Sequence, residues 1–409
     1  MTNGWYVDPM VGVLSALSLS PEAAQGFFTR GETTTVDVGG VEVTVGERLQ
    51  YLVVDRTWAS HRSPGDALGT ALEAATTVFR DQGGLGETSA TIAGQTFALI
   101  GYQTGKGAEG WRGDQGWQMH DGLRVHVAQM LASYGADVFR VSTDPDGDDL
   151  SAGVHGLGSG VMFSETDMPY GVRLSKEHLA TIVGTLGERP EDFEPLLVGL
   201  FQANNLAIAT GLQRASDEYG IAEAAALFWG NDRDLFSPAF TSSAEATAWI
   251  LKAGRKGAEA NEAARKAQAE LVADALSLVS EMPFIPSIEN DWIKLGYGEV
   301  KSSTLDQVKD VPTGAAGRYS RADELARMRL EESVMDLLLR ADYLSDAAHG
   351  RGAFPGGPPP PGAIDDGPDG KAVGFKFNSE EYQAWYDGSP VRSVLTESVI
   401  NTYASATGA

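Results

Sequence analysis

Four aspartates crowd residues 142–150, at Asp144, Asp146, Asp148 and Asp149, and alternating carboxylates are how a calcium loop places oxygens around a hard cation. Such a loop also needs a glycine at its sixth position and a bidentate Glu at its twelfth. Counted from Asp144, Gly147 arrives too early; counted from Ser142, Gly147 fits but Gly153 stands where the Glu belongs. The register favours a solvated turn, with Asp144, Asp146 and Asp148 as the residues to inspect for a cation. A second grouping, Asp114, His120 and Asp121, lies in and just after the glycine-rich stretch GYQTGKGAEGWRGDQGWQ and combines carboxylates with an imidazole, the materials of general acid–base catalysis.

The remaining chemistry is sparse. The six histidines, His61, His120, His126, His155, His178 and His349, form no H-E-x-x-H or similar ligand spacing. His120 and His126 flank the start of one expected helix at a separation that puts them on different sides of it. The string GLGSGVMFS, residues 156–164, has neither the G-x-S-x-G elbow of a serine hydrolase nor the terminal Lys-Ser/Thr of a phosphate loop, so no cofactor is expected. Tyr219 and Glu223, and Tyr51 and Asp55, each match a Y-x-x-x-D/E spacing, and Trp111-Arg112-Gly113 matches W-x-G; chance accounts for all three in a chain of this composition.

These residues must be positioned by an expected fold that is mainly α, a multi-helix globular array with one small β-hairpin near residues 33–45. Residues 8–28, DPMVGVLSALSLSPEAAQGFF, read as two short helices meeting at Ser20-Pro21, with the Ser hydroxyl as cap and Pro at the first helical position. TTTVDVGGVEVTV alternates about Gly39-Gly40, a two-residue hairpin signal. Helical spacing returns over residues 47–58, ERLQYLVVDRTW, and over 64–80, whose small residues suit close approach of another helix. Residues 83–122, punctuated by glycine, read as loop, followed by a helix over 122–139.

Ser175 caps and Pro190 stops the next helix, and residues 190–220 form a long helix apolar on both faces, hence central. A short element is expected over 244–251, an amphipathic helix over 258–282 and another over 321–347, with irregular structure between the last two. RGAFPGGPPPPGAIDDGPDG, residues 351–370, reads as an extended linker. The expected organisation is thus residues 1–143 as an N-terminal helical domain with the hairpin, 144–349 as a helical domain, 350–370 as a Pro/Gly-rich linker, and 371–409 as a C-terminal segment too short for its own core and docking on the body.

The 409 residues are 42% hydrophobic, with 56 acidic against 31 basic side chains and a formal charge of −25. A field of that sign repels phosphate backbones and anionic lipid, which argues against nucleic acid and leaves a basic protein as the attracted partner. Without cysteine there is no disulfide and no thiolate chemistry. No apolar run has the length of a membrane span and the N-terminus has no Sec-type pattern, so the expected location is cytoplasmic, or exported without a Sec signal.

Residues 8–28, then ERLQYLVVDRTW, ALGTALEAATT and DGLRVHVAQMLASYGADV resemble an uncharacterised family of long, mostly helical actinobacterial proteins. The resemblance covers roughly the first 140 residues well and the rest loosely. It implies work associated with W-x-G (type VII) secretion or polymorphic toxins, a helical-hairpin protein as partner, and no catalytic residues. In that family a long helical region usually precedes this block, whereas Met1 lies only a few residues upstream here. The expected function is a non-enzymatic helical interaction or scaffold protein; the alternative is a hydrolase or toxin-like enzyme using carboxylates and histidine assembled in space.

Overall fold

The computed structural model describes residues 8–38, 42–58, 63–80, 83–105, 117–144, 170–229, 237–258, 321–345, 357–366 and 372–407. The chain is mainly α, with two two-stranded antiparallel sheets among the described residues. It divides into two compact units, residues 1–159 with 165–196 and 253–264, and residues 160–164 with 197–252 and 265–409.

The first unit opens with α1 (Pro9–Leu17) and α2 (Pro21–Thr29). Asp8 caps α1 by accepting from Met10 N–H at 3.0 Å, while Ser20 makes no side-chain cap and only its carbonyl receives the Ala24 N–H. Pro21 at the first helical position needs no acceptor, so the turn forms without the hydroxyl bond expected of Ser20. Strands β1 (Thr33–Asp37) and β2 (Glu42–Gly46) pair with Val36 opposite Val43 and Thr34 opposite Val45, the hairpin read from the alternation. Helix α3 (Glu47–Gln50) runs into a π-helical turn, Tyr51–Asp55, and stops short of Trp58. Carbonyls of that turn receive indole N–H groups from outside it, Leu52 from Trp58 at 3.0 Å and Val53 from Trp117 at 3.2 Å.

Helix α4 (Ser63–Thr77) buries Leu68, Ala71, Leu72 and Ala75. Helix α5 (Gly83–Gly105) occupies 23 residues where glycines predicted a loop. Ala90, Ile92, Ala93, Phe97, Leu99 and Ile100 are buried along it, so tertiary burial overrides a weak local propensity. Two of its glycines permit close approach: a Cβ on Gly101 would lie 2.5 Å from that of His178, and one on Gly94 would lie 3.4 Å from the Arg173 carbonyl. The helix expected over 122–139 is two, α6 (Asp121–Ser133) and α7 (Gly135–Thr143), broken at Tyr134, whose φ of −103° and ψ of 29° leave the helical region. Helix α8 (Lys176–Gly187) is capped by Ser175, which accepts from His178 N–H at 3.1 Å. Pro190 does not merely end α8; it opens α9 (Pro190–Tyr219).

In the second unit the residues of α9 from Leu197 onward are buried nearly without interruption as far as Thr210. This helix is long and apolar enough to cross a membrane, and 89% of its apolar window is buried within the protein. Helix α10 (Ile221–Trp229) follows, then α11 (Ser237–Ala258), which is longer than the element expected over 244–251. Asn204 donates to Thr247 at 2.8 Å, tying α9 to α11. Helix α12 (Arg321–Arg340) ends before residue 347 in a turn where Asp342 has φ +65° and Tyr343 donates to the Leu212 carbonyl at 2.9 Å. The amphipathic run 258–282 and the irregular stretch after it lie outside the described residues.

The C-terminal part corrects one expectation. Residues 364–366, assigned to an extended linker, form β3 (Ile364–Asp366), which pairs with β4 (Ala372–Phe375). The run of four prolines ends at Pro361, and residues 362–366 recover the N–H groups a ladder needs. Helices α13 (Glu380–Gly388) and α14 (Pro390–Leu395), a π-helical turn (Thr396–Ile400) and α15 (Asn401–Thr407) complete the chain. Strand β4 and the π-helical turn lie against α12, so this segment docks on the body of its own unit.

Candidate functional site

The densest meeting of chemically capable side chains in the first unit lies where α6 crosses α4. Gly65 and Gly69 stand one turn apart on α4, and each is covered by an imidazole: a Cβ on either would overlap His120 or His126 respectively. Helices approach this closely only where side chains on one of them are missing. Thr70 and Glu73 follow on the same region of α4, and Asp66 precedes them, so a histidine on α6 meets a polar rim.

His126 is the centre of that rim. Its Nδ1 lies 2.8 Å from Glu73 Oε2, and its Nε2 lies 3.3 Å from Asp66 Oδ1 and 3.4 Å from Thr70 Oγ1. The imidazole is 12% exposed, the Glu73 side chain 32% and the Asp66 side chain 64%. Burial alone would lower the histidine's pKa, but the hydrogen bonds it makes to Glu73 and then to Asp66 outweigh it and hold the pKa above the ordinary value. The order hydroxyl, imidazole, carboxylate is the one that activates nucleophiles. Two features oppose that use. Asp66 shares Nε2 with Thr70, and the Thr70 hydroxyl donates to the Asp66 carbonyl at 2.7 Å. With both ring nitrogens facing carboxylates, the protonated form is favoured, and a protonated imidazole is no base.

Of the residues singled out from sequence, His120, Asp121 and Asp144 are among the described residues, and each has a structural partner. His120 caps α6, its Nδ1 accepting from Gly122 N–H at 3.3 Å. Asp121 pairs with Arg189 at 2.8 Å and lies 3.9 Å from Arg124. Arg124 in turn reaches Glu188 at 2.7 Å and the Thr185 carbonyl at 2.6 Å, so this network fastens α6 to the end of α8. Asp144 terminates α7, and its carbonyl accepts from Lys176 at 2.5 Å. Asp114, Asp146 and Asp148 lie outside the described residues, as do Trp111, His61, His155 and His349. Among the described residues no three His, Asp or Glu side chains are arranged to hold a metal ion.

Sequence reasoning missed His126 with its partners. A signal existed on α4, where Asp66, Thr70 and Glu73 recur at helical spacing beside Gly69, but the partner histidine lies 53 residues from Glu73. No local pattern links the two.

A second cluster belongs to the other unit. Arg329, Glu332, Asp336 and Arg340 recur along one face of α12, with Arg329 and Glu332 paired at 2.7 Å. Asp336 is buried and accepts the Phe375 N–H at 2.9 Å; burial pushes its pKa up to about 7 against that hydrogen bond. Burial also pushes Glu331, paired with Arg327, up to about 7. Asp323 accepts from the Tyr403 hydroxyl at 3.0 Å. These carboxylates hold the C-terminal segment on α12.

Comparison with known proteins adds no relative: no family model, no curated protein and no solved structure matches the chain. The reading of function therefore rests on residues and geometry.

Proposed function

We propose that the chain is a non-enzymatic helical interaction or scaffold protein that binds a protein partner, basic or of the helical-hairpin kind, in a type VII secretion or toxin setting. The observation that carries this reading is the pair of exposed apolar side chains on and just past α1. Its sequence, PMVGVLSAL, is almost wholly apolar, yet Leu14 is its one buried residue, while Val13 is 44% exposed and Leu19, just past its end, 85%. Exposed apolar side chains in a group mark association surfaces more often than they occur by default. Tyr51, 48% exposed on the π-helical turn, belongs to the same N-terminal block, and Arg56 from that turn's end clasps the α1 cap Asp8 at 2.7 Å. The block that resembles the secretion-associated family thus presents exposed apolar side chains, and the acidic charge of the chain favours a basic partner over nucleic acid.

The test is capture of the tagged chain beside its Val13→Glu/Leu19→Glu variant, in low and high salt, with thermal melting of both. A stoichiometric partner present with the parent chain and lost with the equally stable variant supports the reading. Equal capture by both removes α1 as the surface.

A hydrolase is the second reading, favoured by one arrangement, Thr70, His126 and Glu73 in relay order. It requires His126 to lose its proton, so activity would rise as pH climbs through the histidine's raised pKa and vanish in Thr70→Val. Flat hydrolysis profiles against ester and peptide panels up to alkaline pH would dismiss it.

A further inference from the structure

The C-terminal segment of the second unit contains a run of prolines whose packing has a functional form. Residues 357–361 read GPPPP; Gly357 turns into the run at φ +76°, Pro360 has φ −66° and ψ 149°, the polyproline II conformation that Pro358 and Pro359 share as prolines preceding prolines, and Pro361 opens a short 3-10 turn. Pro358 and Pro361 are exposed, Pro360 is half-buried and Pro359 is buried. A polyproline II strand makes no internal hydrogen bonds and its proline residues have no N–H, so it offers carbonyls and ring faces to whatever reads it.

The reader here is Trp385. Its indole N–H donates to the Gly357 carbonyl at 2.9 Å, two residues before the buried Pro359. Trp385 stands in a tight aromatic group: its ring stacks on Phe375 at 5.5 Å and 19°, and Tyr382 lies 5.1 Å from Phe375 and 5.0 Å from Phe377. Tyr382 also stacks on Tyr386 at 5.5 Å. The scaffold holding these rings is rigid: Ser379 caps α13 through Tyr382 N–H at 3.1 Å, and Asp336 fixes Phe375 through its N–H. An indole donor set among aromatic rings and bonded to a backbone carbonyl beside a proline run is a means by which small domains recognise proline-rich ligands.

We propose that β4 and α13 form a polyproline-recognition groove whose resident ligand is this chain's own Pro358–Pro360 stretch, held in cis and displaceable by the same chemistry in trans. The ligand class is a proline-rich strand in the polyproline II conformation. Glu381, whose carboxyl group would meet a Cβ on Gly362 at 3.2 Å, and the neighbouring Glu380, both exposed, place negative charge at the end of the groove and favour a basic residue adjoining the prolines. This surface lies in a different unit from α1, and the two readings stand or fall separately.

The test uses the full chain and a labelled synthetic peptide, PGGPPPPGA, read by fluorescence anisotropy. Three proteins are compared: the parent, the opened variant Pro358→Ser/Pro359→Ser/Pro360→Ser, and the opened variant also carrying Trp385→Phe. A groove occupied in cis most of the time lowers apparent affinity by the fraction left open, so the opened chain is expected to bind at least about tenfold tighter than the parent. Adding Trp385→Phe is expected to weaken that binding again. A peptide with Arg beside the prolines should bind more tightly than one with Glu there. An opened chain that retains its helical signal and cooperative melt, yet does not bind the peptide or binds it equally with Phe at 385, overturns the proposal. Should the triple variant fail to melt cooperatively, Pro359→Ala carries the same comparison with a smaller expected gain, and no gain there counts against the groove. A concentration-dependent dimer of the parent that Trp385→Phe abolishes would show the segment exchanged between copies, the same recognition acting in trans.

Discussion

The two units close their helices by different means. In the first, close approach is achieved by absence: Gly65 and Gly69 receive His120 and His126, Gly101 receives His178, and Gly187 lies against the backbone of Gly254. In the second, the C-terminal segment is held by presence, with the carboxylates of Asp336 and Asp323 accepting from Phe375 N–H and the Tyr403 hydroxyl. Glycine contacts are insensitive to pH and intolerant of a single methyl group. Carboxylate contacts depend on the protonation state of buried acids, and the first unit has one as well, Asp137, which accepts the Val172 N–H at 3.1 Å. Substitutions should therefore separate the two means of closure.

The largest effect is expected at Gly187. A Cβ there would overlap the Gly254 carbonyl, a backbone atom that cannot swing aside. Gly187→Ala should cost about 3 kcal/mol, at the upper end for overpacking. Urea unfolding followed by a probe in each unit would check it, with the loss seen first by a probe in the first unit. A change below the usual surface scatter of about 0.5 kcal/mol would mean that glycine contact is not what closes that unit.

Next comes Asp336. Replacing it with Ala leaves the buried Phe375 N–H without an acceptor, a cost of about 1–3 kcal/mol. Asp336→Asn keeps an acceptor and removes a charge that burial disfavours, so it should be neutral or stabilising at pH 8. Thermal melts of the two variants at that pH, ranked Asn above Ala, would sustain the carboxylate account; equal melts would show that shape alone holds β4.

Much of the architecture was legible in the sequence, for reasons tied to particular residues. Val36, Val43 and Val45 alternated about a glycine pair, and Ser175 stood where a cap belongs, so the hairpin and the start of α8 followed from local chemistry. Helix α5 did not, because its glycines argue for loop locally and become useful only when His178 and Arg173 arrive from far along the chain. Strand β3 was hidden behind four prolines for a similar reason: its partner, not its own composition, makes it a strand. Of the chemistry, His120 and Asp121 were visible as residues but not as a helix cap and an ion pair, and the His126 cluster was invisible because its members meet only in space.

The pH dependence sharpens the comparison. Burial raises Asp336 and Glu331 to about 7, above the roughly 4 of an unfolded chain, so the folded state holds their protons longer. Their contribution is fully present below about pH 4 and is lost as pH rises towards about 7, destabilising the second unit across that window. His126 is also raised, from an unfolded value of about 6.5, so the clamp between α4 and α6 is fully present below that pH and is lost as pH climbs through the higher folded value. Melting from pH 4 to 9 should therefore show both units weakening as buried carboxylates lose protons, Asp336 and Glu331 in the second and Asp137 and Asp192 in the first, with the loss of the His126 clamp added in the first unit alone. His126→Gln should remove only that added loss, and a changed profile in the second unit would contradict the assignment of the clamp to α4 and α6.

The smallest effect on stability and the most informative for function is expected at Leu19. At 85% exposure its side chain gains almost nothing from the fold, so Leu19→Glu should change stability by no more than about 0.5 kcal/mol. If the apolar face of α1 is retained for association, the same substitution should abolish partner capture, because placing a charge in a buried apolar contact opposes association far more strongly than it perturbs an exposed turn. Gly187→Ala is the complementary control: it should destabilise the unit without altering the surface, reducing capture only in proportion to the fraction unfolded. Capture that tracks stability across both variants would assign α1 to the packing of the fold, whereas capture lost with Leu19→Glu alone would make it a surface kept for another protein.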